Sequence, residues 1–145
     1  MDSLGTTLNL RRIHWQMMLD DITERDLEEA CGLVAGVDQT SLEVFPVTNI
    51  LHSPVRYRMD PEQQLKYFNQ IDKNHWGLLA IYHSHPQGLA RLSAIDIAEA
   101  SYPGVIYLIW SQTNGEWNCQ GYLIDKGLVE KVEIFQIEAE IDETE

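Results

Sequence analysis

Apolar residues along this chain change their spacing several times, and each change marks a boundary between expected elements. "TLNLRRI" (7–13) alternates weakly with a period of two and predicts a short first strand. "HWQMMLDDITERDLEEA" (14–30) then brings Trp15, Met18, Leu19, Ile22 and Leu27 close to helical spacing, which predicts an amphipathic helix with that stripe in the core. "CGLVAGV" (31–37) is an apolar run entered and left through glycine, and "SLEVFPVTNI" (41–50) follows the turn "DQT", so the two are expected to form an antiparallel hairpin. Pro46 lacks a backbone donor and places the second strand at an edge or a bulge.

"LHSPVRYRMDP" (51–61) has no period and carries two prolines, as an exposed loop would. Asp60 followed by Pro61 opens a helix through about Lys73, with Leu65, Phe68 and Ile71 facing inward. "WGLLAIYHSH" (76–85) is the strongest strand pattern, and Pro86 ends it by removing a donor. A short helix is expected at 93–102 and strands at 105–111, 116–125 and 128–138. The order strand, helix, hairpin, helix, strand, helix and three strands implies an α/β domain with a mixed sheet packed by helices. Without an internal repeat or linker, residues 1–137 form one domain and 138–145 an acidic C-terminal tail.

The 145 residues suffice to bury about two-thirds of the surface an unfolded chain exposes, so disulfide staples are unnecessary. Cys31 and Cys119 lie far apart and form no C-x-x-C pair, which fits two buried thiols; a single bridge between them stays open. The first residues hold no signal-peptide core, and no apolar run reaches the roughly 18 residues of a membrane span, so a cytoplasmic location is expected with no membrane partner. A net charge of −13 argues against nucleic acid, whose backbone is held by clustered Lys and Arg. It fits a basic protein partner or a solubility effect.

Charge and composition leave the chemistry to "IYHSHPQGLARLSAID" (81–96). On a strand Leu79, Ile81, His83 and His85 point to one face and Ala80, Tyr82 and Ser84 to the other. The core-facing side therefore ends in two imidazoles, whose ring nitrogens are costly to bury unpartnered. A zinc ion satisfies both, and Asp96, in the first turn of the following helix, is the candidate third ligand. Ser93 and Asp96 equally match a capping box, S-x-x-D ahead of an apolar helix, which needs no metal. On the residues alone both readings stand.

The spacing H-x-H, seven residues, then S-x-x-D resembles the JAMM motif of the JAMM/MPN metalloproteases, and "EACGLVAG" (29–36) is similar to that family's upstream glutamate segment. The similarity extends through "NILHSPVRYRMDP" (49–61) and covers roughly residues 12–125. It implies the MPN (cytidine-deaminase-like) fold, a mixed and mostly antiparallel sheet flanked by helices. It further implies one zinc ion per chain held by His83, His85 and Asp96, with Glu29 as general base and Ser93 as hydrogen-bond donor to the oxyanion. The activity implied is hydrolysis of an isopeptide or peptide bond after the C-terminal Gly-Gly of a ubiquitin-like or sulfur-carrier protein. The expected assembly partners are that substrate and, as one arrangement, a second copy in a homodimer.

Two departures qualify the resemblance. Leu92 stands where many members have proline, and the short stretch between Asp96 and the next strand leaves no room for the long insertion of larger deubiquitinases. The competing class is a non-catalytic MPN scaffold that binds protein partners, although such members generally lose metal ligands. A zinc deaminase would need P-C-x-x-C, which the chain lacks. Cys31 in its apolar run reads as a core thiol, Trp110 and Trp117 as packing for the late strands, and His14, His52 and His75 as surface or boundary residues. A free backbone edge beside loop 51–60 or segment 86–92 would hold an extended tail; Arg56, Arg58 and Arg91 would contact an acidic patch or stand as plain surface charge.

Overall fold

A computed structural model describes residues 6–87 and 92–138. Seven strands and three helices follow in the expected order: β1 (Thr7–Arg11), α1 (Arg12–Glu24), β2 (Cys31–Val37), β3 (Thr40–Val47), α2 (Pro61–Lys73), β4 (Gly77–His85), α3 (Ala94–Glu99), β5 (Ile106–Thr113), β6 (Glu116–Asp125) and β7 (Leu128–Ile137). The strands close on themselves in the order β1-β3-β2-β4-β5-β6-β7. Pairs β2–β3, β2–β4, β5–β6 and β6–β7 are antiparallel, whereas β4–β5, β1–β3 and β1–β7 are parallel. The mixed, mostly antiparallel sheet flanked by helices is as expected.

Alternation along the strands divides the interior into two layers. One gathers Leu8, Leu10, Val34, Ala80, Tyr82, Leu108 and Trp110 under Met18 and Ile22 of α1. The other gathers Cys31, Leu33, Phe45, Ile81, Tyr107 and Ile124 under Met59 and Ile71. Trp110 is fully buried against Trp15, with ring centroids 4.8 Å apart. Both cysteines are free; Cys31 belongs to the second layer, and Cys119 packs against the first.

Close backbone approach explains two glycines of β2. A Cβ on Gly32 would lie 2.4 Å from the Tyr82 ring, and one on Gly36 would lie 2.0 Å from the Thr40 carbonyl oxygen. Beside Gly36 the β4 register slips, with Val34 opposite Ala80 but Ala35 opposite Leu78. Leu79 is the surplus residue of a bulge. It faces the first layer together with Ala80, and Leu78 takes its place in the second. The expectation that Leu79 shares a face with Ile81 is thereby corrected.

Other corrections have equally local causes. Helix α1 begins at Arg12 and stops at Glu24, because the Arg25 guanidinium folds back onto Asp21 and onto the carbonyls of Val47 and Cys31. Leu27 therefore falls on a turn and is 86% exposed. Leu65 is exposed too, since only the second half of α2, at Phe68 and Ile71, reaches the sheet. His14 is buried rather than at the surface, its Nδ1 2.7 Å from Ser41 Oγ. His52 is exposed and pairs with Glu28. Pro46 is exposed on β3 opposite Gly32, where β3 has no pairing to β1 beyond Thr40. Among the described residues no helix is long and apolar enough to cross a membrane.

Candidate metal centre

Strand β4 is hydrogen-bonded on both flanks, to β2 and to β5. This double pairing fixes where its last residues stand. Cys31 is opposite His83, the Ser84 amide donates to the Ala30 carbonyl at 3.0 Å, and the Ala30 amide donates to Ser84 Oγ at 2.9 Å. Continued outward, the same register brings Glu29 beside His85. The Glu29 backbone is held from the other side, its amide donating to the Ser53 carbonyl at 2.8 Å and its carbonyl accepting from Asn49 Nδ2 at 3.0 Å.

Asn49 is fully buried and organises the following loop. Its side chain also donates to the Arg56 carbonyl and accepts from the amides of Leu51 and Arg58. The loop so held carries Tyr57 over the site, where its ring stacks on His83 with centroids 4.5 Å apart. Neither role was legible in the sequence: the stretch 51–61 that carries Tyr57 has no periodicity, and Asn49 falls at the end of the expected strand 41–50, whereas β3 stops at Val47.

From the opposite side α3 brings Asp96. The Ser93 Oγ accepts from the Asp96 amide at 3.0 Å, and Asp96 Oδ2 accepts from the Ser93 amide at 2.9 Å. The capping box is thus present. It coexists with the other reading, because the same carboxylate meets both imidazoles: His83 Nε2 is 3.0 Å from Oδ1 and His85 Nε2 is 3.1 Å from Oδ2. The two Nε2 atoms are 3.2 Å apart.

The two imidazoles thus converge on one carboxylate, each Nε2 beside a different oxygen. Each Nε2 offers one in-plane site, either an N–H or a lone pair. Two N–H groups donating to the two oxygens satisfy the polar atoms and leave the Nε2 atoms side by side with no bond between them. The same convergence suits a cation: two ligands at zinc-like distances of about 2.0–2.1 Å in a tetrahedron stand about 3.3 Å apart. The Nε2–Nε2 separation of 3.2 Å is close to that spacing.

Burial sets the charge states. His83 is 1% exposed, and desolvation lowers its pKa, partly opposed by Asp96. Burial raises the proton affinity of Asp96, but hydrogen bonds from His83 and His85, the positive potential of His83 and the Ser93 amide together outweigh it and hold the carboxyl well below the usual carboxylate range. Glu29 is 4% exposed and is pushed up to about 8, chiefly by burial, with His85 lowering and Asp96 raising it. Its Oε1 finds no protein partner, and ligand atoms of Glu29, His83 and His85 all lie within 4.8 Å of one another.

All five residues singled out in the sequence meet at this end of β4, although Arg91 lies outside the described residues. Of the segment 86–92, expected with loop 51–60 to offer a free edge to a substrate tail, residues 88–91 lie outside the described residues. Arg56 is engaged with Glu99 of α3.

Residues 12–120 match the family described as prokaryotic homologs of the JAB domain. A desampylase of Haloferax volcanii is 36% identical over 96 residues, which cover 61% of this chain and 69% of that protein. A CysO-cysteine peptidase of Mycobacterium tuberculosis is 34% identical over 86 residues, 58% of this chain and 59% of that protein. The solution structure of a Desulfitobacterium hafniense protein superposes with a TM-score of 0.82 at 33% identity, covering 92% of this chain and 94% of that one. With three-quarters of its length inside the match and the His-x-His and Asp positions gathered in space, the chain belongs to the prokaryotic JAB-domain family, the JAMM/MPN fold.

Proposed function

We propose that this protein is a zinc metallopeptidase that hydrolyses isopeptide or peptide bonds after the C-terminal Gly-Gly of ubiquitin-like or sulfur-carrier proteins. The observation that carries the reading is the convergence of His83 Nε2, His85 Nε2 and the Asp96 carboxylate, 3.0 to 3.2 Å from one another, beside the buried Glu29. His83, His85 and Asp96 would hold one zinc ion, with Tyr57 fixing the His83 ring by stacking. When bound, zinc supplies Lewis acidity, making water acidic enough to lose a proton near neutral pH.

Glu29 takes that proton on its unpartnered Oε1 and passes it to the departing amine. Burial raises the carboxyl's proton affinity, which helps it hold the proton between the two transfers, and a cation beside it would lower that affinity enough for Glu29 to start ionised at neutral pH. Ser93 Oγ is occupied as an acceptor by the Asp96 amide, which leaves its own hydrogen free to donate to the developing oxyanion. Asp96 stays ionised across the working pH range, as a carboxylate ligand must.

The relatives' names support both substrate classes, a modifier conjugate for the desampylase and a sulfur-carrier adduct for the CysO-cysteine peptidase. A scaffold role draws no support from a site in which each expected position is filled. The decisive test is Glu29→Gln, measured against lysine-linked ubiquitin-like conjugates and C-terminally extended sulfur carriers by intact mass. Zinc content near one per chain should persist while hydrolysis falls by about 10²–10⁴-fold. Undiminished cleavage would remove Glu29 from its role, and a zinc-free wild type would remove the metal.

A further inference from the structure

Glu29 stands just outside the sheet, since β2 begins two residues later at Cys31. Its own backbone therefore bonds to the following loop rather than to a strand. The amide donates to the Ser53 carbonyl at 2.8 Å, and the carbonyl accepts from Asn49 Nδ2 at 3.0 Å. With no protein partner on Glu29 Oε1, this backbone clamp carries much of the placement of the carboxylate.

Asn49 has no exposed surface, and its side-chain amide is fully used. Besides Glu29, Nδ2 donates to the Arg56 carbonyl at 3.1 Å, and Oδ1 accepts from the amides of Leu51 and Arg58 at 3.0 and 3.1 Å. Two donated and two accepted bonds are what such an amide can make. Three of them fold the loop on itself; the fourth leaves it for the segment that carries Glu29. Aspartate has the same shape and no donor, so it would set an oxygen against two carbonyls. The loop also has an anchor that does not touch Glu29: Gln63 of α2 accepts from the Thr48 amide at 2.8 Å and donates to Thr48 Oγ1 at 2.9 Å. The two anchors separate holding the loop from placing the carboxylate.

We propose that Asn49 is a positioning residue for the hydrolysis: through its bond to the Glu29 carbonyl it sets where the general base stands relative to His83, His85 and Asp96. The inference rests on the peptidase reading above and adds the residue that locates its base. A reacting group displaced by about 1 Å costs about 10²-fold in rate, so one buried amide suffices for a large effect.

The test uses the zinc-loaded protein and a ubiquitin-like domain with an extension after its Gly-Gly, comparing wild type, Asn49→Asp, Gln63→Ala, Glu29→Gln and the double variant Asn49→Asp with Glu29→Gln. Asn49→Asp should lower kcat by about 10²-fold with KM little changed and zinc still near one per chain. Gln63→Ala should lower Tm and keep kcat near wild type. With the base already gone, the double variant should stay within about twofold of Glu29→Gln alone. If Asn49→Asp does not fold, the same comparison is read with Asn49→Ala, which adds no charge. Equal kcat losses from Asn49 and Gln63, zinc lost in step with activity, or a full further loss in the double variant would each overturn the assignment. A wild type that leaves the fusion intact, or a Glu29→Gln as active as wild type, removes the peptidase reading or its base, and this inference with it.

Discussion

His14 shows how a residue's environment decides its chemistry. Its ring is buried between α1 and β3, and its pKa is lowered, first by desolvation and then by Arg11, against a hydrogen bond involving the Leu42 backbone. In the unfolded chain the same imidazole titrates near 6.5. The folded state resists protonation, so the stability His14 contributes is present above pH 6.5 and is lost as pH falls below it. Urea unfolding of wild type and His14→Gln at pH 7.5 and 5.5 should show the wild-type advantage shrinking in acid; a constant difference would contradict this. The sequence could not reveal the burial, because His14 begins a helix whose stripe was read from Trp15 onward. By contrast His83, His85 and Asp96 were legible, since strand alternation and the start of a capped helix are local rules. Tyr57 and Asn49 were not, because contacts across a loop leave no local signature.

Elements were found where the pattern was dense and misjudged where a single long-range contact overrode it. The hairpin β2–β3 and strands β4 to β7 appear near their expected limits, whereas α1 ends early because Arg25 caps carbonyls on two other segments. Within β2 the glycines carry a sharp contrast. Gly36→Ala would drive a methyl into the Thr40 carbonyl, a contact backbone atoms cannot relieve, and should destabilise by about 1–3 kcal/mol or more. Gly77→Ala, one strand away, meets nothing closer than 3.8 Å and should stay within about 0.5 kcal/mol. Chemical denaturation of the two variants side by side checks the claim, and equal losses would sink it.

At the scale of the molecule, sequence gave the list of strands but not their closure. β1 runs parallel to β7, with Thr7 opposite Glu133 and Arg11 opposite Ile137, a pairing of the two ends that no local rule foretells. The candidate centre likewise joins distant segments, Glu29 from the stretch that leads into β2 and Asp96 from a six-residue helix with no buried residue of its own. Because α3 meets the sheet partly through Asp96, a cation at the centre should tie these parts together. Zinc at 100 times its dissociation constant should then stabilise the fold by about 2.7 kcal/mol, read as a rise in Tm over the chelated protein. A Tm that ignores zinc would contradict a site formed only in the folded state.

The bulge at Leu79 has a consequence for how the chain can change length. Removing Leu79 deletes the surplus position and leaves every later β4 residue opposite its present neighbours on β2 and β5. Removing Ile81 can be absorbed by the same surplus position, with Ala80 sliding opposite Leu33 and Leu79 opposite Val34, at the cost of an isoleucine from the second layer. The bulge works as an expansion joint that can take up the loss of one residue without disturbing the ligating face.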